Sequence, residues 1–257
     1  MDYVIICIVA FLASILTFFS GFGLGTILLP VFALFFPIEV AIALTGVVHF
    51  FNSIFKLILV GKNASKKVLI YFGIPAVIFA FIGAYILINI TDLNPLYTYV
   101  IGERNFEITP VKLIISILLI VFAIIELSPF IKQLKFEKKH LPFGGILSGF
   151  FGGLSGHQGA LRTAFLINAG LTKETFIGTA VVISCFVDFS RLSVYTTRIL
   201  NSGLDDNITL ILCATLSAIS GAVIGNKLLK KITLDFIQKL VAILLVLISL
   251  ALGIGLI

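Results

Sequence analysis

The stretch Ser155 to Gly170, SGHQGALRTAFLINAG, puts His157, Gln158, Arg162 and Thr163 on an otherwise apolar leg. A charge at the centre of a bilayer costs roughly 2.5 to 3.5 kcal/mol on insertion scales, so such an arginine needs a partner. Three are open to it: a ligand, a carboxylate such as Asp188, or an interface reached by snorkelling. If the leg is helical from about Gly156, its free N–H groups and positive dipole end face the interior, with Arg162 one to two turns further on. A helix N-terminus, a glycine-rich approach and a buried arginine together make an anion site. His157 and Gln158 either donate to that anion or line the turn. Asp188 and Arg191 stand three apart on the next apolar segment and share a helical face. An ion pair is their first expectation, with gating or proton relay behind it.

Thr45, His49, Asn52 and Lys56 fall at i, i+4, i+7 and i+11, a single polar stripe down one helix. Lys56 is near the end of its segment and is expected to snorkel. His49 and Asn52 lie deeper, where a pathway role and a helix-to-helix hydrogen bond are both open. The imidazole of His49 makes proton coupling a permissible reading.

Enzyme chemistry finds little support. Gly153-Leu154-Ser155-Gly156 matches a GxSG serine motif that resembles intramembrane rhomboid proteases. A nucleophilic serine needs a base, and His49, His140 and His157 are the only histidines, none on a later glycine-containing helix. There is no HExxH, paired intramembrane aspartate or phosphate-binding loop. Cys7, Cys185 and Cys213 lie in apolar runs without metal or disulfide spacing and are expected to pack as small hydrophobes. No cofactor or metal is expected.

These side chains sit in a chain of mean hydropathy +1.20, 60% hydrophobic and 12% charged over 257 residues. No aqueous fold hides that much apolar surface. Stretches such as 117–125 and 241–248 are apolar on every face, which points to helices and not to a membrane β-barrel. An all-α integral membrane protein forming a single domain over 1–257 is expected. Candidate segments run at about 3–19, 22–36, 40–60, 68–90 and 111–131, then 142–154, 157–169, 174–197, 207–228 and 236–257. The first residues carry no Lys or Arg ahead of the apolar run, so 3–19 is read as structure and not as a cleaved signal.

The second set of segments mirrors the first. At one common offset Gly25 falls on Gly159 and Thr45 on Thr179. Repeat 1 is read as about 1–131, a cytoplasmic linker as about 132–141, and repeat 2 as about 142–257. The first two segments of each half are short, and glycine clusters separate them: SGFGLG at 20–25 and SGFFGGLSG at 148–156. Each pair is a hairpin that turns back inside the bilayer, or one broken helix, and three transmembrane helices follow it. Breaks at matching positions point to a transporter's binding site. The glycines at 21/25, 145/149/153 and 221/225 have small-xxx-small spacing, which packing explains outside the two hinges.

The net charge of +6 reflects topology, because basic residues cluster at segment ends. Lys62, Lys66 and Lys67 mark one loop, Lys132, Lys135, Lys138 and Lys139 a second, and Lys227, Lys230 and Lys231 a third. The positive-inside rule makes all three cytoplasmic. Asp205 and Asp206 then lie outside, opposite the corresponding loop of the first half, so the repeats are expected to be inverted with both termini outside.

GFGLGTILLPVFALFFP (Gly21 to Pro37) followed by Ala41 and Thr45, and GGLSGHQGALRTAFL (Gly152 to Leu166) followed by Thr179 and Asp188 to Arg191, resemble the sulfite exporter TauE/SafE family over nearly the whole chain. The resemblance implies transport of small sulfur-containing anions such as sulfite, sulfonates and related oxyanions across a bacterial or archaeal cytoplasmic membrane. A small anion, the lipid bilayer and a coupling ion, proton or sodium, are the partners to expect, with no nucleic acid. One departure stands out: Pro30 follows the first glycine-rich turn, as the family tends to have, whereas the second copy has Ala164 there and Arg162 two residues earlier. The substrate site is therefore expected from Arg162, His157, Gln158 and Thr163, from hinge glycines Gly23, Gly25, Gly156 and Gly159, and from Thr45, Thr179, His49 and Asn52. Asp188 and Arg191 serve as gate or ion pair, and the second hairpin carries most of the grip. A channel or cation pathway led by Asp188 and His49 is the alternative.

Overall fold

The computed structural model describes residues 2–18, 24–128, 136–199, 204–228 and 234–257. Gly21, Gly23 and Lys132, Lys135, Lys230 and Lys231 fall outside them, as do the side chains of Arg198, Asp205, Asp206 and Lys227. The first half runs α1 (Asp2–Thr17), α2 (Leu24–Ala33), α3 (Ile38–Val60), α4 (Lys66–Thr91) and α5 (Pro110–Leu127). The second runs α6 (Leu141–Ser155), α7 (Gly159–Leu166), α8 (Lys173–Ile199), α9 (Leu204–Leu228) and α10 (Leu234–Gly253). Among the described residues four stretches, 38–63, 66–91, 173–196 and 207–225, are long and apolar enough to cross a membrane.

Local sequence explains the boundaries. The Ser65 hydroxyl accepts from Val68 N at the start of α4, and the Thr109 hydroxyl accepts from Lys112 N with Pro110 in the first turn of α5. Gly156, at φ +80, ends α6 in the left-handed conformation that glycine adopts freely. Between α4 and α5 lies a β-hairpin, Tyr97–Ile101 paired antiparallel with Arg104–Ile108. Its two-residue turn has Gly102 at φ +62 in the first central position, as a type II′ turn requires.

α2 is buried along all ten of its residues and sits between α1, α3 and α10. Around it the protein is apolar on the outside: Ile78, Phe81, Ile124, Phe189, Leu216 and Leu247 are all more than half exposed. A soluble protein would not tolerate such a surface, and lipid solvates it.

The helices pair across the halves. α1 packs on α9 and α4 on α6; α3 packs on α8 and α5 on α10. Glycines let the first two pairs approach. A Cβ on Gly145, Gly149 or Gly153 would run into the carbonyl oxygens of Phe72, Ala76 or Ala80, so α4 and α6 run parallel with their backbones in contact. Gly221 and Gly225 meet the carbonyls of Phe11 and Ile15 in the same parallel sense. α3 and α8 cross antiparallel, since Gly46 meets Arg191 and Leu192 while Val60 meets Gly178. α7 folds back along α6, with Phe165 on Gly144 and Gln158 on Gly152. Segments 142–154 and 157–169 are therefore two legs of a helical hairpin.

Gly149→Val drives a branched side chain into the Ala76 backbone, and overpacking of this kind costs about 1 to 3 kcal/mol. It should lower the melting temperature in detergent. Gly25→Ala should melt like the wild type, because its Cβ meets nothing closer than 3.6 Å.

Candidate functional site

The α6–α7 turn is built to aim polar groups inward. Gly156 N–H donates to Gly152 O at 3.0 Å, and the Ser148 hydroxyl donates to Gln158 O at 2.9 Å. This folds the chain back so that His157 and Gln158 are 3% and 2% exposed. α7 begins at Gly159, three residues later than its sequence suggests, with Gln158 O accepting from Arg162 N.

Asp188, fully buried on α8, is the hub. Its Oδ1 accepts from Arg191 Nη2 at 2.9 Å, Arg191 Nε at 3.0 Å and Gln158 Nε2 at 3.2 Å. Its Oδ2 lies 2.6 Å from His49 Nδ1 on α3. Two bare acceptors do not approach that closely, so a proton sits between them. Gln158 passes the network on: its Oε1 accepts from Arg162 Nη1 at 3.1 Å, and the same nitrogen donates to Ser184 Oγ at 2.5 Å. Arg191 lies between α3 and the hinge, 3.3 Å from where a Cβ on Gly46 would stand and 2.7 Å from one on Gly156.

Gly25, the described end of the first glycine cluster, reaches the same place as the second. A Cβ on Gly25, at the start of α2, would lie 3.6 Å from His49 Cδ2, 3.7 Å from Thr45 Cγ2 and 3.9 Å from Gly156 O. Next to it a cavity of about 20 Å³ is lined by His49, Ser53, Lys56, Thr17, Phe18 and Ser184 among others. That is room for about one water-sized group. Thr45 Oγ1, His157 Nε2, Thr163 Oγ1 and Arg191 Nη1 are buried without a hydrogen-bond partner. Such groups are rare in a finished interior, and none of these four residues lines the cavity itself.

The structure thus brings together Gly25, Thr45, His49, Gly156, Gln158, Arg162, Asp188 and Arg191. Gly159 opens α7 and is buried. Thr163 is one residue past Arg162 with its hydroxyl enclosed. His157 stacks on Phe122, ring centroids 5.2 Å apart, with Nδ1 3.0 Å from Ser155 O. Asn52 makes an interhelical bond, accepting from the Ser14 hydroxyl at 3.3 Å. Thr179 stands nine residues before Asp188, about 13 Å along the helix, and its hydroxyl is committed to backbone: it donates to Thr175 O and accepts from Ser65 N.

Lys56 departs from its sequence reading. It does not snorkel: it is 8% exposed, its Nζ lies 5.3 Å from the Phe18 ring centroid, and it lines the cavity. The stripe it shares with His49 and Asn52 was the signal. Ser184 was missed, although it is one turn before Asp188 on the same face. So was Tyr195, whose buried hydroxyl donates to Gly153 O and ties α8 to α6.

A family model described as sulfite exporter TauE/SafE matches residues 6–252. The chain belongs to this family. It is accordingly a multi-pass membrane transporter and not an enzyme. The Ser155 hydroxyl of the GxSG stretch donates to Phe151 O within its own helix. No curated protein and no solved structure gives a significant match.

Removing one partner of a buried ion pair costs about 3 to 5 kcal/mol, because the survivor stays buried and uncompensated. Asp188→Ala should therefore lower chemical-denaturation stability by about 3 kcal/mol or more. Arg191→Met in the Asp188→Ala background should recover part of the loss; additive effects would show that the two do not act as a pair.

Proposed function

We propose that this chain is a secondary transporter of a small sulfur-containing anion, sulfite, a sulfonate or a related oxyanion, working by alternating access around the meeting point of the two glycine hinges. The observation that carries this reading is charge. Among the described residues the buried charged side chains are Lys56, Arg162 and Arg191 against one carboxylate, Asp188. Three buried cationic side chains thus face a single buried carboxylate, and Lys56 and Ser184, the hydroxyl that Arg162 reaches, both line a cavity with no carboxylate in its wall. A surplus of buried positive charge is costly, and an oxyanion offers both the charge and the acceptors to offset it. The grip is unequal: the second hairpin supplies Gln158 and Arg162, while the described part of the first supplies backbone approach at Gly25.

The architecture behind it is two inverted repeats, about 1–131 and 142–257, joined by a cytoplasmic linker, in the cytoplasmic membrane with both termini outside. The helix pairing supports this. Exchanging each helix for its counterpart turns α1·α9 into α6·α4 and leaves α3·α8 and α5·α10 unchanged. The counterparts α3 and α8 cross antiparallel. The lysine-bearing loops favour this sidedness.

The 2.6 Å contact of His49 with Asp188 favours a second reading, a cation or proton pathway. The surplus of positive charge beside it opposes cation passage, and a proton fits better as a coupling ion that the same pair would carry.

A charge-assisted hydrogen bond contributes about 1.5 to 3 kcal/mol, so Arg162→Ala and Lys56→Met should each slow sulfite uptake into liposomes by roughly 10- to 100-fold. Wild-type flux in Arg162→Ala would sink the anion site. In a cysteine-free background, Asn63→Cys and Gly203→Cys should label from opposite membrane sides; labelling from one side would rule out inversion.

A further inference from the structure

Away from the anion site, the outer face of α4 and α8 carries a groove of about 320 Å³ whose lining is apolar throughout, Ile70, Ile74, Ile78, Val182, Ile183 and Phe186 among its residues. Its volume falls within the range of small-molecule pockets, about 300 to 1,000 Å³. Its rim faces outward: Ile70, Ile74, Ile78 and Phe186 are all more than half exposed. The groove exists because α4 is irregular there. Leu69–Gly73 forms a π-helical turn, which inserts a residue and widens the helix locally, and Gly73 stands opposite Ile183, 3.6 Å from where its Cβ would lie.

At the start of α4, one turn before Ile70, Lys66 and Lys67 are exposed, with Lys62 on the preceding turn; 61–73 contains no acidic residue. We infer that this groove is a binding site for an anionic glycerophospholipid, one acyl chain lying along Ile70 to Ile78 and the phosphate meeting Lys66 and Lys67. The dimensions agree. Lys66 and Lys67 precede Ile70 by about 5 Å of helix, and the headgroup layer is about 5 to 7 Å deep on each side of the hydrocarbon. The groove then runs about 13 Å from Leu69 to Ile78, close to half the hydrocarbon thickness. Tyr71, half exposed on the same turn, sits at the depth where interfacial tyrosines collect. Basic side chains beside transmembrane helices on the cytoplasmic side are a recognised setting for acidic headgroups. The leaflet follows from the topology proposed above. The groove wall belongs to α8, the helix that carries Ser184 and Asp188, so the lipid braces the element on which the anion site is built.

The test uses the full chain purified in neutral detergent and depleted of lipid. Phosphatidylglycerol should raise the melting temperature saturably by several degrees, and phosphatidylcholine with the same chains should do markedly less. Inorganic phosphate alone should do nothing. Lys66→Gln/Lys67→Gln should lose the advantage of phosphatidylglycerol. Phosphatidylglycerol with a photoreactive group in mid-chain should label 69–78 and 182–186 in the wild type. Equal shifts from the two lipids, a double variant that keeps the full shift, or label spread evenly over the helices would overturn the assignment. A change to dimer on delipidation would overturn it too, by giving the groove to a second copy. Sulfite flux in phosphatidylcholine liposomes separates the two claims: flux with no lipid preference defeats the lipid site alone, and absence of flux in every lipid defeats the transport reading.

Discussion

Asp188 is out of contact with water in the middle of a helix bundle. An ionised carboxylate in such a place costs several kcal/mol even after relaxation, and the surrounding structure is arranged to offset it. Arg191 supplies the opposite charge from its own helix, His49 a shared proton from α3, and Gln158 an amide from the hinge between α6 and α7. Three elements from two halves of the chain are held by one side chain. The hinge holds its position because Gln158 reaches Asp188 on one side and Ser148 on the other. Arg162 is oriented by Gln158 and Ser184 in turn. The Arg162 side chain is thus set by hydrogen bonds that trace back to the carboxylate.

The glycines do the opposite kind of work. Where Gly145, Gly149 and Gly153 meet the carbonyls of Phe72, Ala76 and Ala80, backbones touch along several turns and no side chain intervenes to deform. Contacts of that kind make α4·α6 and α1·α9 stiff units. Gly156 and Gly25 differ: one takes a positive φ at a helix end, and the other faces a polar cluster at ordinary van der Waals distance. The same residue type gives rigidity along the paired helices and close approach at the hinges.

Much of this was legible in the sequence because membrane constraints are severe. With hydrocarbon as solvent, each polar residue in an apolar run had to be functional, paired or terminal, and Arg162, Asp188, Arg191 and His49 were singled out on that ground alone. What spacing could not supply was which of them meet. His49 and Asp188 are 139 residues apart, and no periodicity within one helix reports a contact between two. Lys56 was misjudged for a related reason: nearness to a helix end normally allows snorkelling, but Phe18 and the cavity wall enclose it. The β-hairpin at 97–108 escapes a search for apolar spans, although Tyr97 and Tyr99 alternate along one strand and Gly102 marks the turn. At Ser155 spacing misled in another way: the sequence offered no histidine on a later helix, yet His157, two residues on, brings Nδ1 to 3.3 Å from the Ser155 hydroxyl and 3.0 Å from its carbonyl, and it is membership of a transporter family that sets the enzyme reading aside.

A cavity of about 20 Å³ constrains how an oxyanion would be handled. A sulfite-sized ion has four heavy atoms and the space holds about one water-sized group, so admitting the ion requires the walls to part as well as the ion to lose its water, with fixed donors and charges replacing that hydration. Lys56 and Arg162 come from elements on opposite sides of the α3·α8 crossing: α3 carries Lys56, and α7, tied to α8 through Ser184, carries Arg162. The α1·α9 and α4·α6 pairs are each welded by glycine–carbonyl contacts. Under the proposed repeat arrangement, access from either side then requires the hinge tips to shift relative to those pairs, and the α3·α8 crossing is where such a shift would change the Lys56 to Arg162 spacing most. A site assembled at that crossing is sensitive to small rigid-body displacements, because two like charges drawn together repel unless an anion lies between them. The ion would then be the group that makes the tightly closed arrangement favourable, which links occupancy to closure without any separate latch.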